Sequence, residues 1–215
     1  MQLHNYWRST SSYRARLLLN LKGLAYDYVP VDIPAGAQHG AAYRRISPNG
    51  FVPTLVDGEI VVQQTVAIAE YLEEAYPAPP LFPADIAGRN RVREFILSVA
   101  GDVQPRNQKR VRDYIAARFS HEVLVEWFRH WSAEGIAILE ALAATNRPPG
   151  RFFHGDAPGA AECFLVPQLF NLRLRDVDLS AAPTLMAIDE ACRDLPEFTA
   201  ALPENQPDVA PDTRY

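Results

Sequence analysis

The stretch Leu3–Val31, LHNYWRSTSSYRARLLLNLKGLAYDYVPV, decides the fold. Leu3 to Tyr6 reads as a short strand, and Ser9 to Ser12 as a turn of consecutive hydroxyls. From Arg14 to Lys22 the spacing is helical, with Leu17, Leu18 and Leu21 on an apolar face and Gly23 as the stop. Tyr26 to Val31 alternates as a second strand. A strand–helix–strand unit favours parallel pairing through a right-handed crossover.

Further along, an irregular stretch from Pro34 to Pro48 precedes two short strands, Thr54–Val56 and Ile60–Val62. Asp57-Gly58 between them is a hairpin signal. A helix from about Thr65 to Ala75 follows, with Ile68, Leu72 and Ala75 on one face. The four prolines of residues 75–86 remove backbone donors and stiffen the path, which marks a linker. Beyond it the apolar spacing is helical from Ala87 to about Phe119, from Glu122 to Ala144 and from Ala161 to Arg175. The expected organisation is an α/β N-terminal domain over residues 1–80, a linker at 81–86 and an all-α domain over 87–215. The polar, proline-bearing tail after Pro203 is expected to be loosely ordered.

Composition narrows the function classes. A net charge of −5 gives no overall basic field and argues against nucleic-acid binding. No apolar run approaches the roughly 18 residues of a membrane span, and Met1 to Tyr6 lacks the character of a signal peptide. Cys163 and Cys192, the two cysteines, sit in helix-like segments without metal-ligand spacing, and the five histidines are scattered. A reduced, buried cysteine pair, a cytoplasmic location and no metal site are the expectations.

Four segments carry candidate chemistry. Ser9, Thr10 and Ser11 follow Arg8 where the first strand gives way to a helix. Either they cap the helix, or a hydroxyl there, beside the unpaired helix amides, stabilises a bound thiolate. The turn holds no cysteine, so a ligand must bring any thiolate that works there. Pro53 either starts a strand or forms a cis peptide that opens the Val52 backbone to a peptide-like ligand. Gln64 and Thr65 precede a helix, and read either as its cap or as a carboxylate site. Arg106, Lys109, Arg110 and Arg112 put four cations into seven residues of an acidic chain. With Arg106 and Arg110 one helical turn apart, this is a solvated face or a wall for carboxylates. Trp127 and Trp131 read as packing for the helical core.

Together these segments resemble zeta-class glutathione transferases, the maleylacetoacetate and maleylpyruvate isomerases. The resemblance runs through Trp7–Arg16, Asn20-Leu21-Lys22-Gly23, Ser47–Leu55, Gln64–Glu74, Leu165-Val166-Pro167-Gln168, Val177-Asp178-Leu179 and Gln206-Pro207-Asp208. It implies glutathione transferase architecture, with a thioredoxin-like first domain, an all-helical second one and assembly as a homodimer. It further implies that Ser9, with Thr10 and Ser11, activates the thiol of glutathione. Val52 before a cis-Pro53 would pair with the cysteinyl backbone, and Gln64 and Thr65 would hold the γ-glutamyl end. Gln104, and Asn107 or Gln108, would approach from the helical half. Arg8, Arg106, Lys109, Arg110, Arg173 and Arg175 are the candidates for a small dicarboxylate substrate.

The sequence departs from the family at Thr65, where serine is usual, and at Ser11, where many members have cysteine. It departs again at Leu174, where the family has an arginine, and at Gly159-Ala160-Ala161-Glu162, which keeps only the acidic half of a capping box. The resemblance implies glutathione-dependent cis–trans isomerisation by reversible thiolate addition. A transferase that conjugates or dehalogenates electrophiles and a non-catalytic binding protein on the same scaffold are the alternatives.

Overall fold

Leu3 lies opposite Leu55 and Leu55 opposite Val62, and both leucines are fully buried. Period-two alternation therefore gives this sheet one apolar face. The computed structural model describes residues 1–145 and 147–209. Strands β1 (Gln2–Asn5), β2 (Asp27–Pro30), β3 (Thr54–Asp57) and β4 (Ile60–Gln63) are ordered β2-β1-β3-β4. β1 is parallel to β2 and antiparallel to β3, which is antiparallel to β4. Pro30 ends β2 at a sheet edge, where a missing donor is tolerated. The βαβ–ββα order read from the sequence is the observed one, as expected of a thioredoxin-like first domain.

Helix α1 (Thr10–Leu21) joins β1 to β2, the short α2 (Ala41–Arg44) precedes β3, and α3 (Thr65–Ala75) follows β4. α1 packs on α3, with Leu17, Leu18, Ile68 and Leu72 buried. Between these helices Lys22 Nζ meets Glu73 Oε2 at 2.8 Å and donates to Pro79 O at 2.7 Å. Helix α1 begins four residues before the expected Arg14 because the Ser9 side chain caps it.

The helical unit spans Pro83–Cys192. Asp85 caps α4 (Ile86–Leu97) by accepting from Gly88 N at 2.8 Å. The expected helix to Phe119 is instead broken. α4 runs into a π-helical turn, Ser98–Val103, then α5 (Gln104–Arg106), and α6 (Lys109–Ala116) starts anew. Asn107 and Gln108 leave helical geometry at the break, and Asn107 Nδ2 donates instead to the buried Ser132 Oγ at 3.1 Å. Ser132 lies on α7 (His121–Ala144), where Gly135 allows close approach; a Cβ there would fall 2.5 Å from Val103 Cγ1.

α8 (Ala160–Arg173) is buried along most of its length and packs on α4, as expected of a helix apolar nearly all round. Glu162 accepts from Gly159 N at 2.8 Å and Phe153 N at 2.6 Å, so the acidic half of the capping box works without a hydroxyl partner. Glu140 of α7 accepts from Thr184 N and Leu185 N, both at 3.0 Å, and so caps α9 (Pro183–Arg193). Cys163 and Cys192 are buried and free, as expected.

Residues 193–209 pack with Met1–Phe82, although composition alone assigns them to the helical half. α10 (Pro196–Ala201) lies on α1, where Asn20 Nδ2 donates to Glu197 O at 2.9 Å and Arg16 Nε to Ala201 O at 3.1 Å. The expectation of a loose tail is overturned as far as Asp208. Gln206 Nε2 donates to Leu202 O at 2.7 Å, and Asp208 accepts from Trp7 N at 3.1 Å and from the Tyr28 hydroxyl. Residues beyond Val209 lie outside the described part. No helix among the described residues is long and apolar enough to cross a membrane.

Candidate active site

β1 ends at Asn5, and the chain turns through Tyr6–Ser9 into α1. Both peptide groups of Tyr6 are fixed: its N–H donates to the buried Ser12 Oγ at 3.2 Å and its C=O accepts from Ser9 N at 3.0 Å. The Trp7 C=O accepts from Arg16 Nη2 at 3.2 Å, while Trp7 N–H donates to Asp208. Ser9, in extended geometry, accepts from Ser12 N at 3.2 Å through its hydroxyl oxygen and from Tyr13 N at 2.9 Å through its carbonyl. The capping role is thus real, and it uses only a lone pair. The Ser9 O–H remains a donor. Thr10 is the first helical residue, and its amide has no acceptor among the described residues. Ser9, Thr10 and Ser11 are all half-exposed, and Arg8 borders them.

The Val52–Pro53 bond is cis. The preceding peptide is held from below: Phe51 O accepts from Tyr43 Oη at 2.6 Å and Ser47 Oγ at 2.9 Å, and Phe51 N donates to Asn49 Oδ1 at 2.9 Å. Burial raises the Tyr43 phenol above its ordinary value, which keeps it a neutral donor. Neither peptide group of the half-buried Val52 has a hydrogen-bond partner among the described residues.

Gln64 is exposed and adopts φ +66°, a left-handed backbone rarely taken by residues other than glycine. Its carbonyl accepts from Ile68 N at 2.9 Å. Thr65 is buried at the first position of α3, and the Thr65 and Val66 amides have no acceptor among the described residues. Two helix starts and one open peptide, that of Val52, therefore offer donors in the same unit.

In the helical unit the basic residues are not equivalent. Arg106 donates to Glu134 at 2.9 Å and to Asp102, and lies 4.3 Å from the Trp131 ring centre. Trp127 Nε1 donates to Arg106 O at 2.9 Å, so these half-buried tryptophans hold the end of α5 rather than fill the core. The shared face expected for Arg106 and Arg110 is lost, because the helix is interrupted between them. Lys109 pairs with Asp113 at 2.6 Å, Arg173 with Asp189 at 2.5 Å, and Arg175 donates to Asn171 Oδ1 at 2.7 Å. Gln104 closes the π-helical turn, Gln108 precedes α6, and Asn107 Oδ1 is buried without a partner among the described residues.

Sequence reasoning gave no role of their own to Ser12, which it placed only in the hydroxyl run, to Asp208, which it placed only in the resemblance, or to Tyr43. A serine inside the hydroxyl run gives no sign of which member is buried. Tyr43 acts through an irregular stretch on Phe51, and Asp208 acts on Trp7 from the far end of the sequence.

Models of the glutathione S-transferase N-terminal domain and C-terminal domain match residues 8–75 and 125–203. The chain belongs to the glutathione S-transferase family. Within that family it falls in the zeta class. It is 40% identical over 212 residues to a maleylpyruvate isomerase of a Ralstonia species, covering 98% of this chain and 100% of that one. It is 39% identical over 214 residues to a zeta-class glutathione S-transferase of Euphorbia esula, covering 99% and 94%. A solved maleylacetoacetate isomerase of Anaeromyxobacter dehalogenans, with bound dicarboxyethyl glutathione and citrate in its active site, superposes with a TM-score of 0.87 at 43% identity over 98% of this chain and 97% of that one.

Proposed function

We propose that the protein is a glutathione-dependent cis–trans isomerase of a small conjugated dicarboxylate, maleylpyruvate or maleylacetoacetate. The observation that carries this reading is the Ser9 hydroxyl: it caps α1 with a lone pair and keeps its proton to give, in a turn that has no thiol of its own. When bound, glutathione supplies a thiolate that adds reversibly beside the cis double bond, so that the bond turns as a single bond before the sulfur leaves.

Every other part of the reading falls to this chain's residues. Ser9, with Thr10, Ser11 and the open Thr10 amide, favours the ionised sulfur over the thiol, which titrates near about 8.5 when free. Val52 pairs N–H and C=O with the cysteinyl residue as an added strand would, and its unpartnered peptide groups support this. Gln64 and the Thr65 and Val66 amides hold the γ-glutamyl carboxylate. Among the cations, Arg8, which borders the thiol turn, and Arg110, on the basic segment, are the candidates for the substrate carboxylates, whose orientation an arginine fork fixes. Arg106 and Arg173 are assigned to holding their helices through Glu134, Asp102 and Asp189.

The site fits a glutathione transferase that consumes glutathione equally well up to the activated sulfur. The test is incubation with catalytic glutathione and each of the two substrates, following absorbance and free thiol together. Isomerisation at constant thiol supports the isomerase; loss of thiol in step with substrate supports conjugation. A homodimer in the cytoplasm completes the proposal, supported by Ile60 and Val61 exposed on the edge strand β4 and by the two free cysteines. Light scattering in solution tests the dimer.

A further inference from the structure

Several bonds to the main chain hold the segment Tyr6–Ser9 in shape. The adjoining α1 supplies Ser12 Oγ on Tyr6 N, Arg16 Nη2 on Trp7 O and Tyr13 N on Ser9 O, while Ser9 N on Tyr6 O closes the turn from within. A further clamp comes from the far end of the sequence. Trp7 N–H donates to Asp208 Oδ2 at 3.1 Å, across 201 residues, and the other carboxylate oxygen accepts from the Tyr28 hydroxyl on β2. The strap that delivers Asp208 is itself anchored on α1 and on its own turns, through Arg16 to Ala201 O, Asn20 to Glu197 O and Gln206 to Leu202 O. Arg16 thereby holds the thiol turn with one nitrogen and the strap with another.

We infer that Asp208 is a positioning residue for the thiol-activating turn, acting through Trp7 to fix where the Ser9 hydroxyl points. This rests on the Ser9 reading above. A carboxylate is an odd choice near a site that must favour an anion, since its charge opposes ionisation of the sulfur. Its two acceptor oxygens explain the choice: they bind an amide and a phenol at once, which no single neutral donor–acceptor group of that length does as symmetrically. Geometry and charge therefore predict opposite effects of mutation. Loss of the clamp lets the turn drift and weakens thiolate stabilisation; loss of charge alone strengthens it.

The test compares Asp208→Ala, Asp208→Asn and Tyr28→Phe with the wild type by ultraviolet titration of the bound glutathione thiolate, alongside kcat and glutathione Kd. Asp208→Ala is expected to lower kcat and the thiolate fraction at neutral pH about tenfold, with Kd changed much less. Asp208→Asn, which keeps an acceptor for Trp7 N–H, is expected to rescue most of both. Tyr28→Phe, which leaves the Trp7 bond in place, gives a smaller loss in the same direction and carries the comparison if Asp208→Ala does not fold. An increase in thiolate in both Asp208 variants, or no change in any of the three, overturns the inference. A wild-type protein whose bound thiol titrates like free glutathione instead overturns the Ser9 reading on which it rests.

Discussion

Ser12 N donates to Ser9 Oγ at 3.2 Å, and this bond makes Ser9 a helix cap while leaving its hydroxyl proton available for donation. A hydroxyl has two lone pairs and one proton, so the two roles do not compete. Ser9→Ala should cost about 1 kcal/mol of stability through the lost cap and about a hundredfold in kcat through the lost donor. Thermal unfolding and steady-state rates at saturating glutathione measure the two separately. An unchanged kcat would move the activating role to Thr10 or Ser11.

The βαβ–ββα order was legible because Leu17, Leu18 and Leu21 keep one period and the strands another, with Asp57-Gly58 between the last pair. The break at Asn107–Gln108 was not, because Asn107 leaves the helix to reach Ser132, 25 residues away. The return of the tail was hidden for the same reason: its polar residues look solvated until Trp7 and Tyr28 are seen to need Asp208. Of the candidate site, the hydroxyl turn and the Gln64-Thr65 turn were readable as local signals. Which arginines hold neighbouring helices was not, since Asp189 and Glu134 lie 16 and 28 residues from their partners.

Gln64 at φ +66° holds a conformation that costs about 1–3 kcal/mol in a residue with a side chain. Gln64→Gly should therefore leave stability unchanged or raise it by up to about 1 kcal/mol, while glutathione affinity falls about tenfold. Denaturant unfolding and calorimetric titration on the same preparation give both numbers. A variant that is clearly less stable and binds normally would assign Gln64 to the fold.

Lys22 and Glu73 form a buried pair at 2.8 Å, with 0% and 8% of their side chains exposed. Lys22→Met strands the carboxylate and should cost about 3–5 kcal/mol. Burial pushes the Glu73 carboxyl up, but the Leu81 amide and Lys22 outweigh it and hold it below its ordinary value of 4.5. The unfolded chain therefore takes up this proton first. The pair's contribution is complete above about pH 4.5 and is lost as pH falls through the lower folded value. Unfolding curves from pH 7 to pH 3 should fall more steeply for the wild type than for Lys22→Met.

Arg110 and Arg106 should separate on mutation. Arg110→Ala is expected to raise KM for the dicarboxylate about tenfold at unchanged glutathione affinity. Arg106→Ala, which abandons Glu134, Asp102 and the Trp131 ring, is expected to lower the melting temperature, with a loss of about 1–3 kcal/mol. Equal KM values for wild type and Arg110→Ala would return that residue to the solvated surface.

The most direct test is a crystal structure of the protein soaked with glutathione. The sulfur is expected within hydrogen-bonding reach of the Ser9 hydroxyl, the cysteinyl backbone paired with Val52 and the γ-glutamyl carboxylate on the Thr65 and Val66 amides. A tripeptide bound elsewhere, or with its sulfur turned away from the start of α1, would contradict the account.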